Sequence, residues 1–322
     1  GDTEVLSHAL CQWGSNALDK LEGMWAFAWY NEKDGSLILS RDRFAEKPLY
    51  FWKKNKGIYF SSEIKGLAAL SGEWPQINEN HLLRNLVNGY KSIYKTSETF
   101  FKQVKELPSG TYLKVDSSNN ISSHKYWNFS NTEKKNLLYP EAVEMTKDAV
   151  VRAVRLRMRS DVPIAFCMSG GVDSNTLISV ASKILNRDVH GFTIINKDKR
   201  YEEQTIVNKA IKELDIKHTP IELDQKNFLE NLSTLIKIHD APVYTISYYV
   251  QWQLMKAVAD HGYKVSISGT GADELFTGYY DHYLYQLKEL KNTEFFQDNL
   301  QNWKKYIFKF IRNPKLKEYK SF

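Results

Sequence analysis

From residue 139 onwards, strand-length runs alternate with amphipathic helical segments, and this alternation is the feature that most restricts the fold. The runs are residues 163–168, which are apolar without interruption, 189–195, 218–223 and 264–268. Strands that are apolar along their whole length are typical of a parallel sheet covered by helices on both faces. We therefore predict an α/β domain built on a parallel sheet.

The first part of the chain differs, because short β-type runs are separated by turns rich in Asn, Gly and Lys. These runs are residues 24–30, 36–40, 49–52, 58–61 and 111–115. Polar, turn-rich segments at 116–120 and 130–135 then suggest a connection between domains. We predict a first domain at residues 1–128, a linker at 129–138 and the α/β domain at 139–322.

A loop with two glycines and two serines follows the first apolar run directly and leads into a helix. Its residues are Ser169, Gly170, Gly171, Val172, Asp173 and Ser174. Open parallel sheets bind ligands outside the carboxyl ends of their strands. The glycines allow close approach of the backbone, and N–H groups at the helix start can donate to an anion together with the serine hydroxyls. The loop predicts a pyrophosphate cradle, with a plain strand-to-helix turn as the alternative.

A second loop with glycines and acidic residues follows the last strand-length run, residues 264–268. Its residues are Ser268, Gly269, Thr270, Gly271, Ala272, Asp273 and Glu274. Because both loops follow parallel strands, we expect Asp173 and Asp273 at the same edge of the sheet. Two carboxylates beside a triphosphate suit Mg²⁺, which takes hard oxygen ligands and fills its remaining positions with phosphate oxygens and water. Each acid, taken singly, could instead complement a helix dipole.

The sequence excludes several other phosphate-binding motifs and protein classes. It has no Gly-Lys-[Ser/Thr] Walker loop, and the second loop has Glu274 where a dinucleotide fingerprint needs its third glycine. Apolar residues make up 42% and charged residues 25% of the chain, which excludes a disordered chain, a collagen and a coiled coil. The net charge of +6 permits nucleic-acid binding without indicating it, and two cysteines are too few for a disulfide framework.

The two loops and several earlier segments resemble the glutamine-dependent asparagine synthetase family. The similarity covers the first loop and the run Ser-Gly-Thr-Gly-Ala-Asp-Glu-Leu-Phe-Thr-Gly-Tyr-Tyr that begins at Ser268. The segments similar to the family's glutaminase domain are residues 21–28, 41–50, 61–67 and 108–110. The resemblance implies an ATP-pyrophosphatase domain of the adenine nucleotide alpha hydrolase type. It also implies a preceding, partial N-terminal-nucleophile glutaminase domain of the α+β class.

The resemblance further implies a ligase that uses ATP and Mg²⁺, adenylates a carboxylate such as aspartate, and aminates it with ammonia from glutamine. The residues that would bind the nucleotide are Cys167, Ser169, Gly170, Gly171, Val172, Asp173, Ser174, Ile194, Ser268 and Gly269. Asp173 and Asp273 would hold the metal, and together with Thr270 they are the catalytic candidates. Asp2 matches the family residue that holds the α-amino group of glutamine.

Departures from the family pattern lead to further expectations. The chain opens at Gly1 instead of the nucleophilic Cys, and Cys11 lies in a helix-like stretch that suggests packing. We therefore expect a piece of a longer protein, lacking the start of the glutaminase domain and the end of the synthetase domain, that does not hydrolyse glutamine by itself. Thr270 stands where the family commonly has Glu or Asp, and residues 240–249 differ from the family's segment near the acceptor.

These departures leave the acceptor open. A sugar uronic acid, in polysaccharide biosynthesis, is the alternative to aspartate, and an ATP pyrophosphatase acting on RNA is a second alternative. We expect small-molecule substrates, glutamine and a carboxylate, with neither nucleic acid nor membrane as a partner. A homodimer is the candidate assembly, and the location is expected to be cytoplasmic.

Overall fold

The structure is a computed structural model, and it describes residues 1–54, 57–129, 137–195, 203–224 and 226–318. The chain forms two compact units. The first consists of Gly1–Glu141 and Asp224–Gln253, and the second of Ala142–Leu223 and Leu254–Phe322. Residues 130–136 of the predicted linker lie outside the described residues, and the domain boundaries predicted from the sequence stay a prediction.

The secondary structure follows the predicted alternation in the second unit. The strands are β1 Ala26–Asn31, β2 Ser36–Arg41, β3 Tyr50–Lys54, β4 Gly57–Ser61, β5 Val104–Glu106, β6 Thr111–Val115, β7 Ile121–Lys125, β8 Ile164–Cys167, β9 His190–Ile195, β10 Lys217–Glu222 and β11 Val265–Ile267. The α-helices are α1 Asp2–Trp13, α2 Ile64–Ser71, α3 Glu79–Asn88, α4 Tyr139–Arg157, α5 Val172–Ser179, α6 Gln204–Leu214, α7 Phe228–His239, α8 Ile246–Asp260, α9 Ala272–Phe276, α10 Tyr280–Leu290 and α11 Phe296–Tyr306. Shorter helical segments are Gly14–Lys20, Tyr90–Lys95, Val180–Ile184, Phe308–Phe310 and Pro314–Lys317.

The second unit contains a four-stranded parallel sheet with the strand order β10-β9-β8-β11. On one face, Phe166 packs in a buried cluster with Val154 of α4 and Ile178 of α5. On the other face, Ala165 packs with Leu254 of α8. Burial on both faces explains why β8 is apolar along its whole length. The predicted α/β fold with a parallel sheet is confirmed.

His190, at the amino end of β9, is a buried histidine with a hydroxyl group beside each ring nitrogen. It is 2% exposed. Its Nδ1 lies 3.0 Å from the Tyr263 hydroxyl, and its Nε2 lies 2.8 Å from the Thr219 hydroxyl. Burial, with the charge of Lys217 as the next cause, lowers the pKa of His190 from 6.5 to about 4. The folded unit therefore keeps this imidazole neutral at pH values where the unfolded chain is protonated.

We expect the second unit to lose stability as the pH falls from 6.5 towards 4, because the unfolded chain then binds a proton that the folded unit excludes. The loss of unfolding free energy caused by His190 approaches about 3 kcal/mol near pH 4, since each unit of pKa corresponds to about 1.4 kcal/mol. Urea unfolding over this pH range should show a shallower pH dependence for His190→Gln than for the wild type. His124→Gln, at an exposed position, is the control. The same pH dependence in wild type and His190→Gln would contradict the prediction.

The first unit contains two antiparallel sheets, ordered β1-β2-β6-β7 and β4-β3-β5. A buried cluster of Leu39, Leu49, Leu107 and Leu113 includes residues of β2 and β6 from the first sheet. It packs against partly buried residues of β3 and β4 from the second sheet. The sequence pattern did not predict β5 or β7; β7 is polar and exposed after its first residue, so it has no apolar alternation. Residues 116–120 form the turn between β6 and β7, so their prediction as a connection between domains is wrong.

Two buried charged residues organise residues 41–50, one of the segments similar to the glutaminase domain. The Arg41 guanidinium donates to the carboxylate of Glu106 and to the backbone carbonyl oxygen of Leu107, each at 2.7 Å. Asp42, which is 0% exposed, accepts hydrogen bonds from the same segment and from Trp25. Its donors are the backbone N–H groups of Trp25 at 3.2 Å and of Phe44, Glu46 and Lys47 at 3.0 Å. The conformation of this segment therefore depends on the Asp42 carboxylate.

The described part of the chain has no helix with the length and apolar character that a membrane span requires. The cytoplasmic location stays a prediction.

Cys11 is exposed on α1, so its predicted packing role is wrong. Because α1 buries Leu10 while the neighbouring Cys11 faces outwards, the helix turns one side to the unit and leaves the thiol accessible.

Candidate nucleotide site

Hydrogen bonds among its own residues hold the loop after β8, residues 169–174, which we call the first loop. The Ser169 N–H donates to the Ser174 hydroxyl, and the Gly171 N–H donates to the Ser169 hydroxyl, both at 3.1 Å. The side-chain amide of Asn175 donates to the carbonyl oxygens of Ser169 at 2.8 Å and Gly171 at 2.7 Å. Ser174 is buried. The two serines and Asn175 therefore fix the shape of the first loop.

The remaining glycine of the first loop contacts an acidic residue from another part of the second unit. The Gly170 N–H donates to the carboxylate of Glu203, which immediately precedes α6, at 2.6 Å. A Cβ atom at Gly170 would lie 2.9 Å from the Cβ of Glu203, so a side chain here would collide with Glu203. Glu203 was not predicted from the sequence. No sequence signal links it to Gly170, because the contact depends on β9, which comes before Glu203 in the chain, being the neighbour of β8 in the sheet.

The loop after β11, residues 268–274, contacts the first loop through Gly269, and we call it the second loop. A Cβ atom at Gly269 would lie 2.9 Å from the Cβ of Asp173 and 3.0 Å from the backbone nitrogen of Ser174. β11 and β8 are adjacent and parallel, so the loops at their carboxyl ends meet at one edge. The structure thus brings Asp173 against the second loop.

The second loop carries its acidic residues into α9. Asp273 lies in the first turn of α9, and its carbonyl oxygen accepts a hydrogen bond from the Gly278 N–H at 3.0 Å. A side chain at Gly278 would collide with the Asp273 carboxylate, so this glycine leaves room for the carboxylate. The sequence pattern did not predict that role. Earlier in the loop, the Ser268 hydroxyl donates to the Thr270 hydroxyl at 3.1 Å, and both residues are exposed.

A tyrosine beside the second loop stabilises its other carboxylate. The Tyr279 hydroxyl donates to Glu274 at 2.6 Å. This hydrogen bond is the main cause that lowers the pKa of Glu274 below its ordinary value. Glu274 is exposed, and the hydrogen bond favours its ionised form. The second loop therefore carries a negative charge next to Asp273.

Two of the predicted nucleotide-binding residues share one face of the parallel sheet. Cys167 ends β8 and Ile194 lies near the end of β9, and both pack as partly buried residues against Phe192 and its buried neighbours. Burial raises the pKa of the Cys167 thiol, so this residue is an apolar, neutral side chain at neutral pH. Asp2, by contrast, belongs to the first unit, where it is exposed in the first turn of α1.

Among the described residues, no three His, Cys, Asp or Glu side chains form a group that could hold a metal ion. Mg²⁺ bound together with a nucleotide uses few protein ligands, because phosphate oxygens and water fill most of its positions. Asp173 and Asp273 offer hard carboxylate oxygens on loops that follow adjacent strands. The donor chemistry of this pair therefore fits Mg²⁺ bound with phosphates.

Family models match both parts of the chain. The model described as asparagine synthase matches residues 145–319, which is more than half of the chain and includes both loops. The chain belongs to the asparagine synthase family. A second model, described as glutamine amidotransferase domain, matches residues 1–127. The resemblance inferred from the two loops and from the earlier segments is confirmed.

Curated relatives of this asparagine synthase family member include proteins named asparagine synthetase and a protein named amidase. Asparagine synthetase (glutamine-hydrolyzing) 1 of Bacillus subtilis is 29% identical over 86% of this chain and 43% of its own length. Asparagine synthetase (glutamine-hydrolyzing) 3 of the same organism is 26% identical over 86% of this chain and 47% of its own length. Amidase chry2 of Gibberella zeae is 25% identical over 86% of this chain and 43% of its own length. The chain spans about half the length of the curated relatives it matches.

Proposed function

We propose that this chain is part of an ATP-dependent amidotransferase that joins ammonia from glutamine to a carboxylate. One observation carries the proposal: Gly269 of the second loop lies against Asp173 of the first loop at the carboxyl edge of a parallel sheet. Open α/β sheets bind ligands at this edge. The match of the glutamine amidotransferase model to residues 1–127 supports glutamine as the source of ammonia.

In the proposed reaction, an oxygen of the substrate carboxylate attacks the α-phosphorus of ATP. The bond from that phosphorus to its bridging oxygen breaks, and pyrophosphate leaves onto the first loop, where N–H groups and hydroxyls can hold it. Ammonia then attacks the acyl carbon, AMP leaves with the electron pair of the broken carbon–oxygen bond, and the nitrogen gives up a proton. Adenylation is needed because a free carboxylate is a poor electrophile, whereas AMP is a competent leaving group.

Three side chains have further proposed roles. Asp173 and Asp273 would hold Mg²⁺, which, when bound, neutralises charge on the phosphates. Thr270 would face the acyl group as a hydrogen-bond donor in place of an acidic residue. Its oxygen accepts from Ser268, which leaves its own hydroxyl proton available for donation.

We propose aspartate as the acceptor, because two of the relatives described above carry the name asparagine synthetase. In residues 240–249, predicted to lie near the acceptor, Tyr244 stacks with Tyr90 and Phe100 of the same unit at centroid distances of 6.3 and 6.1 Å. Because the sequence of residues 240–249 departs from the family pattern, the acceptor assay should include other carboxylates, among them a sugar uronic acid.

Calorimetric titration of the 322-residue chain with ATP, with and without Mg²⁺, tests the nucleotide site. We expect Mg²⁺-dependent binding by the wild type. Asp173→Asn keeps the size of the side chain but removes its charge, so it should weaken binding of the Mg²⁺ complex about tenfold, which corresponds to about 1.4 kcal/mol. Asp188→Asn, at an exposed position before β9, is the control and should bind like the wild type. Absence of ATP binding, or equal binding by Asp173→Asn, would contradict the proposal.

Pyrophosphate release by the full-length protein tests the acceptor. The protein is supplied with ATP, Mg²⁺ and glutamine, together with one carboxylate from a series. We expect release that depends on aspartate and yields asparagine. Release only with another carboxylate would replace aspartate as the acceptor, and release with none would rule out the amidotransferase.

A further inference from the structure

A carboxylate of the protein itself occupies part of the predicted phosphate cradle. The Oε2 atom of Glu203 lies 2.6 Å from the backbone nitrogen of Gly170, a short distance for an N–H group that donates to a carboxylate. The Glu203 side chain lies along the loop, because a Cβ atom at Gly170 would sit 2.9 Å from its Cβ, 3.2 Å from its Cγ and 3.3 Å from its Cδ. Glu203 therefore takes the place that a phosphate oxygen would need on this N–H group.

The acceptor on the Gly170 N–H group differs in charge from the acceptors on the two neighbouring N–H groups of the loop. The N–H groups of Ser169 and Gly171 donate to serine hydroxyls, which are neutral. Only a weak, neutral hydrogen bond is lost when a phosphate oxygen takes over one of those donors. At Gly170, a phosphate must replace an anion, and any carboxylate that stays nearby repels the phosphate charge.

We infer that Glu203 is an internal competitor of pyrophosphate: it holds the first loop when the site is free and must leave the Gly170 N–H when polyphosphate binds. This inference rests on the proposed function of the loop. Glu203 is exposed, which allows its side chain to turn towards solvent. The competition lowers the affinity for polyphosphate and favours release of the pyrophosphate product.

Glu203→Gln tests the inference, because the amide keeps the size of the side chain and an acceptor oxygen but loses the charge. We expect it to bind pyrophosphate about tenfold more tightly than the wild type in calorimetric titrations. Glu213→Gln is the matched control, since Glu213 is an exposed residue of the adjoining helix α6, with its carboxylate 3.8 Å from Lys209. It removes the same charge from the helix that Glu203 precedes and should change the affinity less than twofold.

The alternative is that Glu203 only supports the loop, in which case Glu203→Gln would bind pyrophosphate as well as the wild type or less tightly. Either result would overturn the inference while leaving the proposed function intact, provided that the wild type binds. If the wild type, Glu203→Gln and Glu213→Gln all failed to bind pyrophosphate, both the inference and the proposed function would be overturned.

A second measurement needs no substitution. A crystal structure of the wild-type chain with pyrophosphate should show a phosphate oxygen on the Gly170 N–H and the Glu203 carboxylate turned away. Pyrophosphate bound on the loop with Glu203 still within hydrogen-bond distance of Gly170 would overturn the inference.

Discussion

Replacing Gly269 by alanine should weaken ATP binding about a hundredfold, because the new methyl group needs space that the first loop already fills. The added Cβ would lie 2.9 Å from the Cβ of Asp173 and 3.0 Å from the backbone nitrogen of Ser174. Neither atom is the end of a flexible side chain, so the two loops must move apart. Overpacking of this kind costs about 1–3 kcal/mol, and a hundredfold loss of affinity corresponds to about 2.7 kcal/mol.

Calorimetric titration with ATP and Mg²⁺ measures the affinity, and circular dichroism shows whether the Gly269→Ala chain is folded. Gly57→Ala is the control, because a Cβ atom at Gly57 would have no atom within 4 Å. Gly278→Ala is an intermediate case: its methyl group would displace the carboxylate of Asp273 without separating the loops, so it should reduce mainly the Mg²⁺ dependence. Wild-type affinity in a folded Gly269→Ala chain would mean that the contact between the loops does not matter for ATP.

The parallel sheet was predictable because burial on both faces leaves a direct mark on the sequence. Residues 163–168 have no polar interruption, and in the structure Ile164 and Phe166 pack on one face while Ala165 packs on the other. The antiparallel part was predictable only where a strand has a buried side. β6 alternates buried and less buried residues and was found, whereas the polar and exposed β7 was not.

The candidate site was predictable as two loops but not as a set of contacts. Glycines and acids after apolar strands indicate a ligand edge, yet the order of strands in the sheet is absent from the sequence. Without the neighbour relation of β8 and β9, nothing links Glu203 to Gly170 across the intervening residues. The need for a small side chain at Gly278 was not predicted either. It arises from the position of the Asp273 carboxylate in the folded loop.

Replacing Asp42 by alanine should lower the free energy of unfolding of the first unit by about 4 kcal/mol. Asp42 is fully buried and is the acceptor for four backbone N–H groups, those of Trp25, Phe44, Glu46 and Lys47. A hydrogen bond to a charged group contributes about 1.5–3 kcal/mol, and a buried donor without a partner carries a further penalty. The loss is smaller than the sum over four bonds because the segment can relax and admit water to part of the N–H groups.

Urea unfolding, followed by the fluorescence of Trp25 and the other tryptophans, measures this loss. Asp42→Asn should be intermediate, since the amide keeps one acceptor oxygen and replaces the other with a donor group. Asp116→Ala is the control: Asp116 also accepts hydrogen bonds from backbone N–H groups in its turn, those of Ser118 and Asn120. These hydrogen bonds are exposed, so water replaces the lost acceptor. Its effect should be much smaller than that of Asp42→Ala. If the two alanine variants were equally stable, burial of the Asp42 carboxylate would not be what holds residues 41–50 in place.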